Sequence, residues 1–143
     1  MAIKLKLEGF DELLQQIEAA GGAADRAANS ALSASAAIME NELRAQLNAA
    51  TESELAQRLP HFEISKSGNT YSASVGFKST PYNPRGPSDY HKAIFLNYGT
   101  PDRSKHGKEA ARGFIVKAKR RARPKIKKAQ KEALEKIIQR LQK

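Results

Sequence analysis

The chain has 143 residues, 25 Lys and Arg against 15 Asp and Glu, and no cysteine, so one domain over 1–143 is expected, and disulfide scaffolds and thiolate metal sites are excluded. Ala accounts for 23 residues, whereas Leu, Ile, Phe and Val together number 28, just under a fifth of the chain. The core is therefore thin, and it has to be well patterned or completed by another subunit.

Ile3, Leu5 and Leu7 alternate with Lys4, Lys6 and Glu8, the period of a half-buried strand rather than of a leader core. With no apolar run near 18 residues, the expectation is a soluble intracellular protein that neither spans a membrane nor carries a secretory leader. Gly9 breaks the strand, and Phe10-Asp11-Glu12 opens a helix with acids where the helix dipole favours them. Leu13, Leu14 and Ile17 form its apolar stripe, and Gly21-Gly22 ends it. From about Asp25 to Leu47, the series Ala28, Leu32, Ser35 or Ala36, Met39, Leu43, Leu47 keeps one face apolar at helical period. Its small residues predict close approach of a sheet or a second helix. Thr51-Glu52-Ser53-Glu54 reads as a capping box for a short helix through Leu55 and Leu59, stopped by Pro60.

Residues 61–78 change to period two. Phe62 and Ile64, then Tyr71, Ala73, Val75 and Phe77, flank the turn residues Ser67-Gly68-Asn69, which predicts a β-hairpin. Residues 79–88 hold three prolines and a glycine, so 79–89 is expected to be an exposed, mobile loop. The run Tyr90 to Tyr98 is apolar enough to be a short helix or a buried strand, and Gly99-Thr100-Pro101 ends it in either case. In Tyr98, Gly99 and Thr100 the residue types suit a structural turn, because Gly permits positive φ and the Thr hydroxyl can hold the loop. Residues 100–113 form a second loop expected to be mobile. A helical segment over 114–143 then carries Ile126, Ala129, Ala133, Ile137 and Leu141 on its predicted apolar face. Pro124 either starts that helix or interrupts a longer one that began near Phe114. The fold expected is α+β: a small antiparallel or mixed sheet, made of the N-terminal strand and the hairpin, packed against the long Ala-rich helix and a basic C-terminal helix.

Chemistry-bearing patterns are scarce. His61, His91 and His106 lack metal-ligand spacing, and Asp89-Tyr90-His91 has no G-x-S-x-G nucleophile to complete it. No phosphate-cradling G-x-x-x-x-G-K-[ST] or G-x-G-x-x-G is present. Glu40/Glu42 and Glu52/Glu54 lie two apart on helices and face away from each other. No catalytic, cofactor-binding or metal-binding residue is assigned, and an enzyme is not expected.

Charge carries more information. Residues 1–102 hold 9 basic and 12 acidic side chains, a net −3, while residues 103–143 hold 16 and 3, a net +13. Lys117, Lys119, Arg120, Arg121, Arg123, Lys125, Lys127 and Lys128 form a basic surface suited to an acidic protein partner or to phosphates. The run contains no aromatic to stack a base, so any DNA contact there is to the backbone and blind to sequence. Its apolar face offers no Trp, or Phe after Phe114, to insert into a membrane.

The order of these signals resembles the HK97 gp10-like family of tailed-phage proteins. Five pieces carry the resemblance over nearly the whole chain. They are the opening strand with Gly9-Phe10-Asp11-Glu12-Leu13-Leu14, the Ala-rich helix, the hairpin, Ala93-Ile94-Phe95-Leu96-Asn97-Tyr98-Gly99-Thr100, and Arg112-Gly113-Phe114-Ile115-Val116-Lys117-Ala118. Members often have an acid where this chain has Asn97 and a proline where it has Gly113. The resemblance implies a structural virion protein, found in the host cytoplasm during assembly and then at the head-to-tail interface of the particle. It would act as a tail-completion or neck component in a homo-oligomeric ring, monomeric in solution or not. Partners implied are other virion proteins, namely a connector or stopper, a tail terminator or the tail tube, with backbone contact to packaged DNA. The alternative from the residues alone is a nonspecific DNA-binding module using the basic terminal helix.

Overall fold

The computed structural model describes residues 2–49, 53–67, 70–83, 85–98 and 113–141. The elements in order are β1 (Ala2–Lys6), α1 (Asp11–Ala19), α2 (Ala24–Ala49), α3 (Ser53–Gln57), β2 (Glu63–Ser67), β3 (Thr70–Gly76), α4 (Asp89–Tyr98) and α5 (Phe114–Leu141). The strands form one antiparallel sheet in the order β1-β3-β2, with Ile3 opposite Val75, Leu5 opposite Ala73 and Ile64 opposite Ala73. This register puts the apolar members of all three strands on the face that α2 covers. The fold is α+β, and the N-terminal strand and hairpin join in one sheet as expected.

Helix α2 is the spine. Ala28, Leu32, Ser35, Ala36, Met39, Leu43 and Leu47 are all buried, the face its spacing predicts. Helix α5 runs antiparallel along it, as three contacts show: Lys125 reaches Glu42, Gln130 reaches Ser35, and Leu134 shares a cluster with Ala27 and Ala31. Alanines on both helices, including Ala28, Ala31, Ala118 and Ala122, are fully buried, which lets the two backbones approach. Two apolar clusters result. The larger joins the sheet, α2, α3, α4 and the first half of α5. The smaller joins α1 to the start of α2 and the second half of α5 through Ile17, Ala27, Ala31, Leu134 and Ile138.

The end of α1 is closed by both glycines. Gly21 takes φ +86°, its N–H donates to the Glu18 carbonyl, and the Gly22 N–H donates to the Ile17 carbonyl at 2.8 Å. A Cβ on Gly22 would lie 2.6 Å from Leu141 Cδ1 and 2.7 Å from Ile17 Cγ2, so this turn is also where α5 closes on α1.

Two open alternatives are resolved, and one loop boundary and one helix face differ from expectation. The run from Tyr90 to Tyr98 is a helix, α4, which starts at Asp89, so the preceding loop ends one residue sooner than expected. Ser88 sets that boundary: its Oγ accepts from the His91 N–H at 3.4 Å as an N-cap. Within the loop, Thr80 and Ser88 share a 2.6 Å hydroxyl hydrogen bond and Tyr82 packs edge-on against Phe95. Helix α5 is continuous from Phe114, with Pro124 inside it on the exposed side. Its buried series is Ala118, Ala122, Ile126, Gln130, Leu134 and Ile138, one position round from the predicted stripe, whose Ala129, Ala133, Ile137 and Leu141 are half-buried flanks. Gln130 accounts for the error, because a polar residue at a core position shifts a pattern read from hydropathy. Its amide donates to Ser35 Oγ at 3.3 Å, and Ser35 Oγ in turn donates to the Leu32 carbonyl at 2.9 Å.

Candidate functional site

The start of α5 is positioned from a distance by Asn97. The Ile115 N–H donates to Asn97 Oδ1 at 3.1 Å and the Gly113 N–H to the Asn97 carbonyl at 3.1 Å, so a buried residue near the end of α4 caps the first turn of α5. Asn97 thereby fills the acceptor role that a carboxylate could also fill there. Gly113 takes φ +59°, a left-handed value that proline cannot adopt. Sequence reading missed this cap because donor and acceptor lie 18 positions apart. Of the predicted structural turn, Tyr98 closes α4 and is 66% exposed, while Gly99 and Thr100 lie outside the described residues.

From this anchored start α5 buries Phe114, Ile115, Ala118, Ala122 and Ile126, and all eight predicted cations are exposed on the remaining surface. They fall into three groups. Lys119, Arg123 and Lys127, spaced four apart, form one ridge beside β1. Helical spacing puts Lys117, Arg120, Arg121 and Lys128 on the side turned away from the core. Lys125 reaches back to α2 and ion-pairs with Glu42 at 2.7 Å. Lys128 stands 4.0 Å from Glu132. Among the described residues, no carboxylate lies within ion-pair distance of Lys117, Lys119, Arg120, Arg121, Arg123 or Lys127.

The opposite sign collects elsewhere. Glu8, Asp11, Glu12 and Glu18, in and just before α1, are exposed, and residues 7–25 contain no Lys or Arg. None of these four acids has an ion-pair partner among the described residues. Helix α1 packs against α5 near Ile137 and Ile138. Glu8 borders the cleft lined by Lys119, Arg123 and Lys127, whereas Asp11, Glu12 and Glu18 do not line it.

The other candidate groups have ordinary structural partners. His61 Nδ1 lies 3.5 Å from Glu40, and His91 Nδ1 lies 3.0 Å from Ser88 Oγ. His106 is outside the described residues. Asp89 accepts from Arg58 Nε at 3.0 Å, which ties the start of α4 to the end of α3. Among the described residues, no group of three or more His, Asp or Glu side chains is arranged to hold a metal, and no helix is long and apolar enough to cross a membrane.

Asp25, in the first turn of α2, accepts hydrogen bonds from Tyr71 and, at 3.0 Å, from Lys66. The Tyr71 hydroxyl and then the Lys66 ammonium hold its carboxyl below the ordinary value. The same contacts raise Tyr71 and Lys66 above theirs. This cluster fastens the hairpin to α2.

No family model, curated protein or solved structure matches the chain.

Proposed function

We infer that the chain is a structural assembly protein, without catalytic activity, that joins head to tail in a tailed-phage particle as a tail-completion or neck component of a ring. One observation carries the reading: an anchored helix presents six cations with no ion-pair partner among the described residues, and the α1 acids Asp11, Glu12 and Glu18 are likewise unpaired there. Repeated like-charge neighbours four apart, such as Lys117/Arg121 and Lys119/Arg123, each cost roughly 0.2–0.5 kcal/mol. External anions relieve that repulsion.

Surfaces of opposite sign, neither neutralised among the described residues, suit a heterologous contact, in which α5 of one copy meets α1 of the next and rotation closes a ring. The resemblance in element order supplies the virion context. It makes a connector or stopper, a tail terminator or the tail tube the neighbouring proteins, and the host cytoplasm the place of assembly. The Lys117, Arg120, Arg121 and Lys128 side also suits the backbone of passing DNA, the contact on which the alternative reading as a nonspecific DNA-binding module rests.

Light scattering on a size-exclusion column at low and high salt, beside a DNA mobility-shift titration, separates the two. Assembly predicts oligomers of the chain, or of the chain with a neck protein. It also predicts that Arg120→Glu with Arg121→Glu abolishes them and that Asp11→Lys with Glu12→Lys restores them. A strict monomer that binds DNA with a steep salt dependence, unaffected by the α1 changes, would replace the assembly reading with the DNA-binding one.

A further inference from the structure

β1 is an edge strand, paired with β3 on one side only. The Leu7 N–H donates to the Tyr71 carbonyl at 3.2 Å, which continues the β1–β3 register. In an antiparallel ladder the bonded residues alternate, so Leu7, Leu5 and Ile3 face their peptide groups toward β3. The peptide N–H and C=O groups of Lys4 and Lys6 therefore point to the open side. No backbone hydrogen bond occupies that edge among the described residues.

This edge borders a cleft of about 500 Å³ between β1 and α5. Ile3, Leu5, Phe10, Met39 and Ile126 give the cleft an apolar floor. Its walls carry Lys4 and Lys6 from β1 and the Lys119, Arg123 and Lys127 ridge from α5, against the single acid Glu8. Three requirements of strand addition thus meet in one place: unpaired backbone groups, apolar pockets for alternate side chains, and charge for the side chains between them. An open strand edge is also a feature that a fold normally covers or blocks.

We propose that this cleft takes an extended acidic segment of a partner protein, with apolar residues alternating with Asp or Glu, as a fourth strand beside β1. The apolar side chains of the segment enter the floor under the aliphatic stems of the Lys119, Arg123 and Lys127 ridge, and the carboxylates between them lie on the opposite face of the strand, beside Lys4 and Lys6. A nucleic acid strand fits less well. It has no use for the peptide edge, and Phe10 is the one aromatic ring on the cleft. The inference shares α5 with the assembly reading but does not need a ring, because a monomer presents the complete cleft.

The test is fluorescence anisotropy on the full chain with a labelled peptide of about eight residues, alternating Val and Glu, a length that matches one strand. Saturable binding is expected. A Val/Lys peptide should bind at least about tenfold more weakly, and Lys4→Glu with Lys6→Glu should cost about as much. Backbone N-methylation at every second residue of the peptide should weaken binding about tenfold in one register and little in the other, since only one set of amides faces β1. That measurement leaves the protein unaltered, so folding of a variant cannot obscure it. Equal loss in both registers, no loss in either, or displacement of the peptide by an oligothymidine of equal charge at the same concentration would overturn the proposal. Peptide binding by a chain that stays monomeric would retain this inference and count against the ring.

Discussion

Helices α2 and α5 are nearly equal in length, 26 and 28 residues, and lie along each other, yet their polar surfaces have opposite fates. α2 carries two basic and three acidic residues, and each acid is engaged inside the fold: Asp25 by Tyr71 and Lys66, Glu40 by His61, Glu42 by Lys125. α5 carries eleven basic and two acidic residues, and its cations from 117 to 127 other than Lys125 have no such partner among the described residues. The difference teaches that one long helix can have its charge absorbed in holding the domain together while its neighbour shares the same interface and leaves most of its charge without an ion-pair partner among the described residues.

The sharpest way to break this comparison is at the interface the helices share. Leu134 is fully buried on α5, in the small cluster with Ala27 and Ala31 of α2. Leu134→Ala should lower the unfolding free energy by about 3 kcal/mol in urea denaturation. A loss near zero would mean that the second half of α5 contributes little to the core. Next comes the buried polar pair. Gln130→Ala should cost about 1–2 kcal/mol by leaving Ser35 without its donor, and Ser35→Ala with Gln130→Leu should recover most of it. If the double variant is as unstable as the sum of the singles, the pair is not the reason Gln130 occupies a core position.

Neutralising Lys117, Arg120, Arg121 and Lys128 to Gln should then change stability by no more than about 0.5 kcal/mol while removing assembly or anion binding. Thermal melts and light scattering on the same samples read both quantities, and a large drop in melting temperature would make α5 a structural helix like α2. The smallest effect concerns Asp25. Its lowered carboxyl value means that its contribution is complete above the ordinary Asp range and is lost as the pH falls through the lowered value. Tyr71 and Lys66, both raised, contribute below their ordinary values and lose that contribution as the pH rises through the raised ones. Asp25→Asn should therefore flatten the acid side of a melting-temperature profile, and the difference from the parent should shrink at low pH. A difference that grew as the pH fell would contradict this sign.

Much of this was legible in the chain itself, and α2 shows why. Its burial repeats every three or four residues with little interruption, so Ala28, Leu32, Ser35, Ala36, Met39, Leu43 and Leu47 could be named from spacing. β1 and β3 were legible through alternation of two, which reverses the faces if misread by one residue. Three features were hidden for definable reasons. Tyr90 to Tyr98 has too many apolar residues to show a single period. The register of α5 turned on Gln130, whose partner Ser35 is 95 residues away. The Asn97 cap crosses from one helix to another. The candidate site divides in the same way: the eight cations were plain in the sequence, but their separation into a ridge beside β1, an outward side and one ion pair was not.

What the sequence determined by itself is most of the elements, though not the type of the one over 90–98, together with the thin Ala-rich core and the sign and position of the charge, because each is a property of neighbouring residues. What the tertiary structure decided is which polar groups are satisfied. Pairing depends on residues far apart in the chain, and only packing brings Glu42 to Lys125, Ser35 to Gln130 and the open edge of β1 to the cationic ridge of α5.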